Sequence, residues 1–179
     1  LIDDTDNSIL SNITTVKIRK SFTPTLLSSN KYDIYFRNAL FNPHSGHNAT
    51  AGGILSSTGF KIDGNDNEMF LDDDGDGNVR LYQLSSGIRT YINSTQGTIN
   101  YTSGQITLNS LNVASISNIR GSTSTVIELT VTPDSNDVVP VRDQIVEIDV
   151  ANSSITVTAD TFVGGSADAG VGYTTTSSY

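Results

Sequence analysis

The stretch Asp72-Asp73-Asp74-Gly75-Asp76-Gly77-Asn78-Val79-Arg80-Leu81-Tyr82 admits two readings that lead to different folds. Alternate carboxylates at Asp72, Asp74 and Asp76, closed by Gly77, resemble the start of a helix-flanked loop that wraps Ca²⁺ in hard oxygen ligands. The same residues make a tight polar turn between two strands. Three features favour the turn. Counting from Asp72, the twelfth position, where the calcium loop needs a bidentate Glu, holds Gln83. The ninth holds Arg80, a cation beside the proposed ion. The flanks Met69–Asp72 and Asn78–Leu84 read as strands, not helices. No metal ligand is therefore assigned here, and the turn reading predicts solvated carboxylates.

Seven acids fall between Asp63 and Asp76. Crowded like charges repel, so the segment is predicted to be exposed, or neutralised by a cation or by basic residues elsewhere. Lys17, Arg19, Lys20, Lys31 and Arg37 cluster early in the chain and are the candidate partners.

Outward from the turn, apolar residues recur at every second position. Val16 and Ile18 alternate with Lys17 and Arg19, and Tyr32, Ile34 and Phe36 with Asp33, Tyr35 and Arg37. Ile54 to Ile62 holds a short strand. Ser86-Gly87 turns into Ile88–Ile92. Gly97–Tyr101 and Gln105–Asn109 form a hairpin across Thr102-Ser103-Gly104, with glycine where positive φ is needed. Ile127, Leu129 and Val131 share one face before Pro133. Val146, Ile148 and Val150, then Ile155 and Val157, are the last strand candidates. Asn42 to Gly53 reads as a loop. A short helix has room only between Pro24 and Asn30 or near that loop, and no repeat of fixed period is present. The pattern predicts a mainly β fold, an antiparallel sandwich or barrel-like domain with few or no helices. Residues 1–12 read as a linker or lead-in, 13–159 as the β domain, and 160–179 as a flexible or partner-ordered tail.

Composition agrees. The chain has 179 residues, 36% of them hydrophobic, with Ser, Thr, Asn and Gly making up the difference. A net charge of −9 argues against a phosphate backbone or an anionic membrane as partner. The absence of cysteine excludes disulfides, thiolate metal sites and Cys nucleophiles. No apolar run approaches the ~20 residues of a membrane-spanning helix. Beginning at Leu1, the chain reads as a fragment or processed product.

Chemical motifs are sparse. His44 and His47, in His-Ser-Gly-His, have the chemistry of zinc or nickel ligands, but no Cys or adjacent carboxylate completes a set. No Gly-x-Ser-x-Gly elbow or phosphate-binding glycine loop appears. No Trp is present to form a sugar platform. Five Asn-x-Ser/Thr sequons, beginning at Asn12, Asn48, Asn93, Asn100 and Asn152, fit a chain rich in those residues. No catalytic residue and no cofactor is assigned.

Several blocks occur together in order: Phe41-Asn42-Pro43-His44, Gly52 to Phe60, Asp73 to Tyr82, Gly97 to Tyr101 with Gly104 to Leu108, and Asn136 to Ile145. As a set, spanning roughly residues 30 to 150, they resemble the C-terminal region of the large baseplate wedge protein of T-even-type contractile-tailed phages, in particular the cyanophage branch. The resemblance implies a structural subunit of the virion's tail baseplate. It would associate with itself, as a dimer, and with other baseplate proteins in a ring around the hub, without a catalytic residue or cofactor. The alternative is a calcium-binding extracellular β-module, such as a bacterial surface or adhesin domain, with Asp74 among its ligands. A hydrolase has only generic residues in its favour.

Overall fold

The structure, a computed structural model, describes residues 16–45, 53–135, 150–151 and 153–156. The expected lead-in at 1–12, the tail at 160–179, the block at 136–145, His47, Val146 and Ile148 lie outside the described residues. Packing divides the chain into two units, Leu1–Arg142 and Asp143–Tyr179.

The first unit is built from antiparallel strands, and no helix occurs among the described residues. In chain order they are β1 (Ile18–Phe22), β2 (Ser29–Tyr35), β3 (Ser56–Ser57), β4 (Phe60–Ile62), β5 (Met69–Asp73), β6 (Asn78–Ser85), β7 (Ile88–Asn100), β8 (Gln105–Ile116) and β9 (Ile127–Val131). One sheet has the order β1-β9-β3. In the other, β8, β4, β5, β6 and β7 pair in succession and β7 returns to β8, so five strands close a barrel-like ring, with β2 added on β8. Closing a sheet on itself removes most of its exposed edges. Phe60, Met69, Leu71, Val79, Ile106 and Leu108 from the ring share one buried cluster with Ile127, Leu129 and Val131 of β9. Each such side chain removed from water contributes roughly 1.5–3 kcal/mol.

Several strands differ from the sequence reading, each for a local reason. Ile54–Ile62 is two strands in two sheets, because Thr58 and Gly59 carry the chain across the gap. Thr58 N donates to Glu128 O at 3.0 Å on one side, and Ser117 N donates to Gly59 O at 3.1 Å on the other. Ile88–Ile92 and Gly97–Tyr101 are not separate elements, since β7 runs unbroken from Ile88 to Asn100. Likewise β8 continues past Asn109 to Ile116. The alternation of Ile106 and Leu108 changes phase at Leu111 and Val113, and that shift is a β-bulge. The register against β2 slips between Asn30 and Tyr32, and Ser110 takes φ 47°. The bulge returns both apolar pairs to the core face, whereas alternation without it would turn one pair outward. Between Pro24 and Asn30 the chain turns at residues 26–28 and enters β2 rather than forming a helix, with Leu27 at φ 54°.

In the second unit, Val150 lies in a turn, and Ser153–Thr156 belongs to no strand. Ile155 is 92% exposed, so the expected strand there does not form over the described residues.

The ring closes through close backbone contact. A Cβ built on Gly97, which pairs with Val79 on one side and Leu108 on the other, would lie 2.0 Å from Thr107 O. Replacing Gly97 by Ala is expected to lower unfolding free energy by about 2–3 kcal/mol in urea titration. Ser110→Gly should leave stability unchanged or raise it by less than ~1 kcal/mol, because it relieves a left-handed backbone at a site whose side chain is exposed.

Candidate functional site

The acidic run occupies the end of β5 and its turn into β6. Successive side chains on a strand point to opposite faces, so the adjacent carboxylates Asp72 and Asp73 enter different environments. Both are buried, at 1% and 0% exposure. That corrects the expectation of solvated carboxylates along the whole run.

Asp73 is held by uncharged donors. Ile54 N and Leu55 N donate to its Oδ1 at 2.7 and 2.8 Å, and the Tyr101 hydroxyl donates to Oδ2 at 2.7 Å. Gly53, at φ 70°, makes this approach feasible, since a Cβ there would lie 1.8 Å from Asp73 Oδ1. Asp73 thus ties the start of the Gly53–Leu55 segment and the β7–β8 turn to β5. Burial first, then the hydrogen bond and negative charge of Asp73, push the Tyr101 phenol far above its ordinary value.

Asp72 is held by charge on the other face. Arg80 Nε donates to Oδ1 at 2.9 Å, while Arg89 Nη1 and the Tyr91 hydroxyl donate to Oδ2 at 2.8 and 3.0 Å. Arg80 also donates through Nη2 to the Asp73 carbonyl at 2.8 Å. The two guanidinium groups lie over aromatic rings, Arg80 at 4.3 Å from Tyr91 and Arg89 at 4.8 Å from Tyr82. Phe70 stacks on Tyr82 at 5.6 Å, and Tyr82 meets Tyr91 edge-on at 5.9 Å. Cation–π contact and a paired carboxylate reinforce one another where water is excluded. Burial raises the Tyr82 phenol; burial and then the Asp72 hydrogen bond raise that of Tyr91.

Asp74 organises the turn. It accepts from Asp76 N at 2.8 Å, Asn78 N at 2.9 Å and Asn78 Nδ2 at 2.6 Å. Burial opposes its ionisation, but these hydrogen bonds outweigh burial and hold its carboxyl below the usual carboxylate range. Gly75 and Gly77 adopt φ 79° and 101°, a left-handed backbone that glycine allows without a Cβ clash. Asp76 is exposed and accepts from the Ser45 hydroxyl.

The basic residues paired with the run are therefore Arg80 and Arg89, both on Asp72, and not the early cluster, while Asp63, Asp66, Glu68 and Asp76 are exposed as expected. Within that cluster, Arg19 pairs with Glu128 at 3.1 Å and Lys31 with Asp33 at 3.2 Å. Arg80, read in the sequence as a cation that would disfavour an ion, is the direct partner of Asp72. Sequence reasoning missed Asp73, Tyr101, Arg89 and Tyr91. The available signal was the antiparallel register that sets Asp72 opposite Arg80. His44 is exposed, with Nδ1 3.1 Å from the Ser45 carbonyl. Among the described residues no three His, Asp or Glu side chains converge as a metal site.

Compared with protein-family models, with curated proteins and with solved structures, the chain matches none.

Asp73→Ala would strand two backbone donors and a hydroxyl, and Asp72→Ala would leave the buried Arg80 without its carboxylate. Each is expected to cost about 3–5 kcal/mol by chemical denaturation. The raised phenols also set a pH dependence. A folded state that holds a phenolic proton more tightly than the unfolded chain keeps that stabilisation below the unfolded value of 10.0 and loses it as pH rises above it. Unfolding free energy should therefore fall between pH 10 and 12, and the fall should be shallower in Tyr101→Phe.

Proposed function

We infer that the chain is a structural component of a contractile-tailed phage, a self-associating piece of the baseplate wedge that works as a scaffold and not as a catalyst. The observation that carries this reading is the use made of the acidic run, the central block of the phage-like series. Asp72, Asp73 and Asp74 direct their oxygens to Arg80, Arg89, Tyr91, Tyr101, Asn78 and backbone amides. A block with that role holds a fold in shape. The ordered series of blocks supports the assignment to the wedge, with neighbouring baseplate proteins and further copies of the chain as partners. Exposed Leu84, Ile88 and Ile92 supply apolar surface for such contacts.

The calcium-module reading has less support. Its first carboxylate, Asp72, is paired with two arginines, and Asp74 is occupied by the turn's own amides.

Light scattering from micromolar to millimolar protein should show mass rising above that of one 19.1 kDa chain. Melting curves with calcium and with chelator should coincide. A strict monomer throughout would overturn the scaffold reading. A calcium-dependent rise in Tm that is lost in Asp74→Ala would establish the other.

A further inference from the structure

Past the contact with β8, β6 and β7 run on to their shared turn as an arm, with β5 on the far side of β6 as far as Gln83 and two strands alone from Leu84 to Arg89. Ser85 pairs with Ile88 across Ser86-Gly87, both at positive φ, the geometry of a two-residue hairpin turn. All residues from Ile88 to Thr95 are exposed. Strand β8 pairs only with Gly97–Asn100 of β7. From Ile88 to Gln96 the strand pairings on β7 are with β6 alone among the described residues, which leaves its outer edge available for a further strand.

Natural edge strands are blunted by Lys, Pro, β-bulges or inward-pointing charge. This edge has a bulge and an inward-turned arginine but no Lys and no Pro. Here the sequence is Ile88-Arg89-Thr90-Tyr91-Ile92-Asn93-Ser94-Thr95, rich in β-branched and aromatic residues, and Arg89 is turned onto Asp72 and Tyr82. Leu84, Ile88 and Ile92 are 52%, 71% and 44% exposed around it. A register slip between Leu81 and Tyr82 adds Ile92 as an extra residue at mid-arm.

Charge selects the occupant. The chain carries −9 overall, so two copies repel over most of their surface. Yet from Gly77 to Ile127 there is no Asp or Glu, and the only charged residues are Arg80, Arg89 and Arg120. The arm lies wholly within this acid-free stretch. An antiparallel strand laid against its own copy brings the same neutral residues together about a two-fold axis, without opposing carboxylates.

We propose that the outer edge of β7, from Ile88 to Thr95, pairs antiparallel with the same strand of a second copy, continuing the sheet from one subunit into the next. The proposal rests on the self-associating role inferred above and gives that role a site.

Because the chain has no cysteine, single Cys variants report on this contact cleanly. Ile92→Cys, exposed and next to the two-fold centre of an Ile88–Thr95 pairing, should form a disulfide-linked dimer on mild oxidation, at least tenfold faster than Thr25→Cys, which is exposed and outside the arm. The double variant Ile88→Lys/Ile92→Lys should shift light scattering to the monomer mass while circular dichroism and Tm stay unchanged. A wild-type dimer that persists in the lysine variant, with no preference for cross-linking at the arm, would overturn the β7 edge and leave self-association standing elsewhere. A wild-type monomer at every concentration would overturn both. Monomeric protein whose arm cross-links only to a different added protein would replace the second copy by that partner.

Discussion

Two neighbouring carboxylates that point in opposite directions and are both shielded from water impose the main constraint on this molecule. An unpaired buried carboxylate is costly, so Asp72 and Asp73 each require a full set of donors on their own side of β5. Asp73 meets the requirement with backbone amides of Ile54 and Leu55 and the Tyr101 hydroxyl, drawing segments distant in sequence onto the strand. Asp72 meets it with Arg80 and Arg89, which lock β6 and β7 in register and bring Tyr82 and Tyr91 under the guanidinium planes. Strand order, the position of the β7–β8 turn and the aromatic layer outside the ring all conform to these two side chains.

The ring itself depends on backbone that departs from regular pleating. A short closed sheet must bend, and bulges and glycines are the means. In β8 the bend falls at Ser110, in β7 near Ile92, and at Gly97 the strands approach too closely for any side chain. Strand β7 serves two roles along its length. Its last residues close the ring against β8, while its first residues leave the ring with β6. The first half carries the exposed Ile88 and Ile92, and its outer edge pairs with no strand among the described residues.

Taken together, these features describe a molecule that turns part of its polar chemistry inward and leaves Leu84, Ile88 and Ile92 exposed. Asp72, Asp73 and Asp74 brace the sheet, and under the proposed self-association the acid-free strands beyond them are the face on which acidic copies would meet with least repulsion. That division suits an assembly subunit, where rigidity within each copy lowers the ordering cost of association.

The mainly β character was legible in the residues, because period-two alternation at Tyr32–Phe36, Val79–Leu81 and Ile127–Val131 has one physical meaning: one face toward the core. The β7–β8 turn was legible too, since Gly104 takes the positive φ its position demands. The continuity of β7 and β8 was not, because a bulge reverses the alternation that identifies a strand. Nor was the fate of the acidic run. Sequence alone supplies the charges of Asp72, Asp73, Arg80 and Arg89, but their energies depend on distance and on exclusion of water. Only the folding of β5 between β4 and β6, with β7 beside β6, fixed both. It decided that Asp72 and Asp73 would hold the fold together rather than sit in solvent.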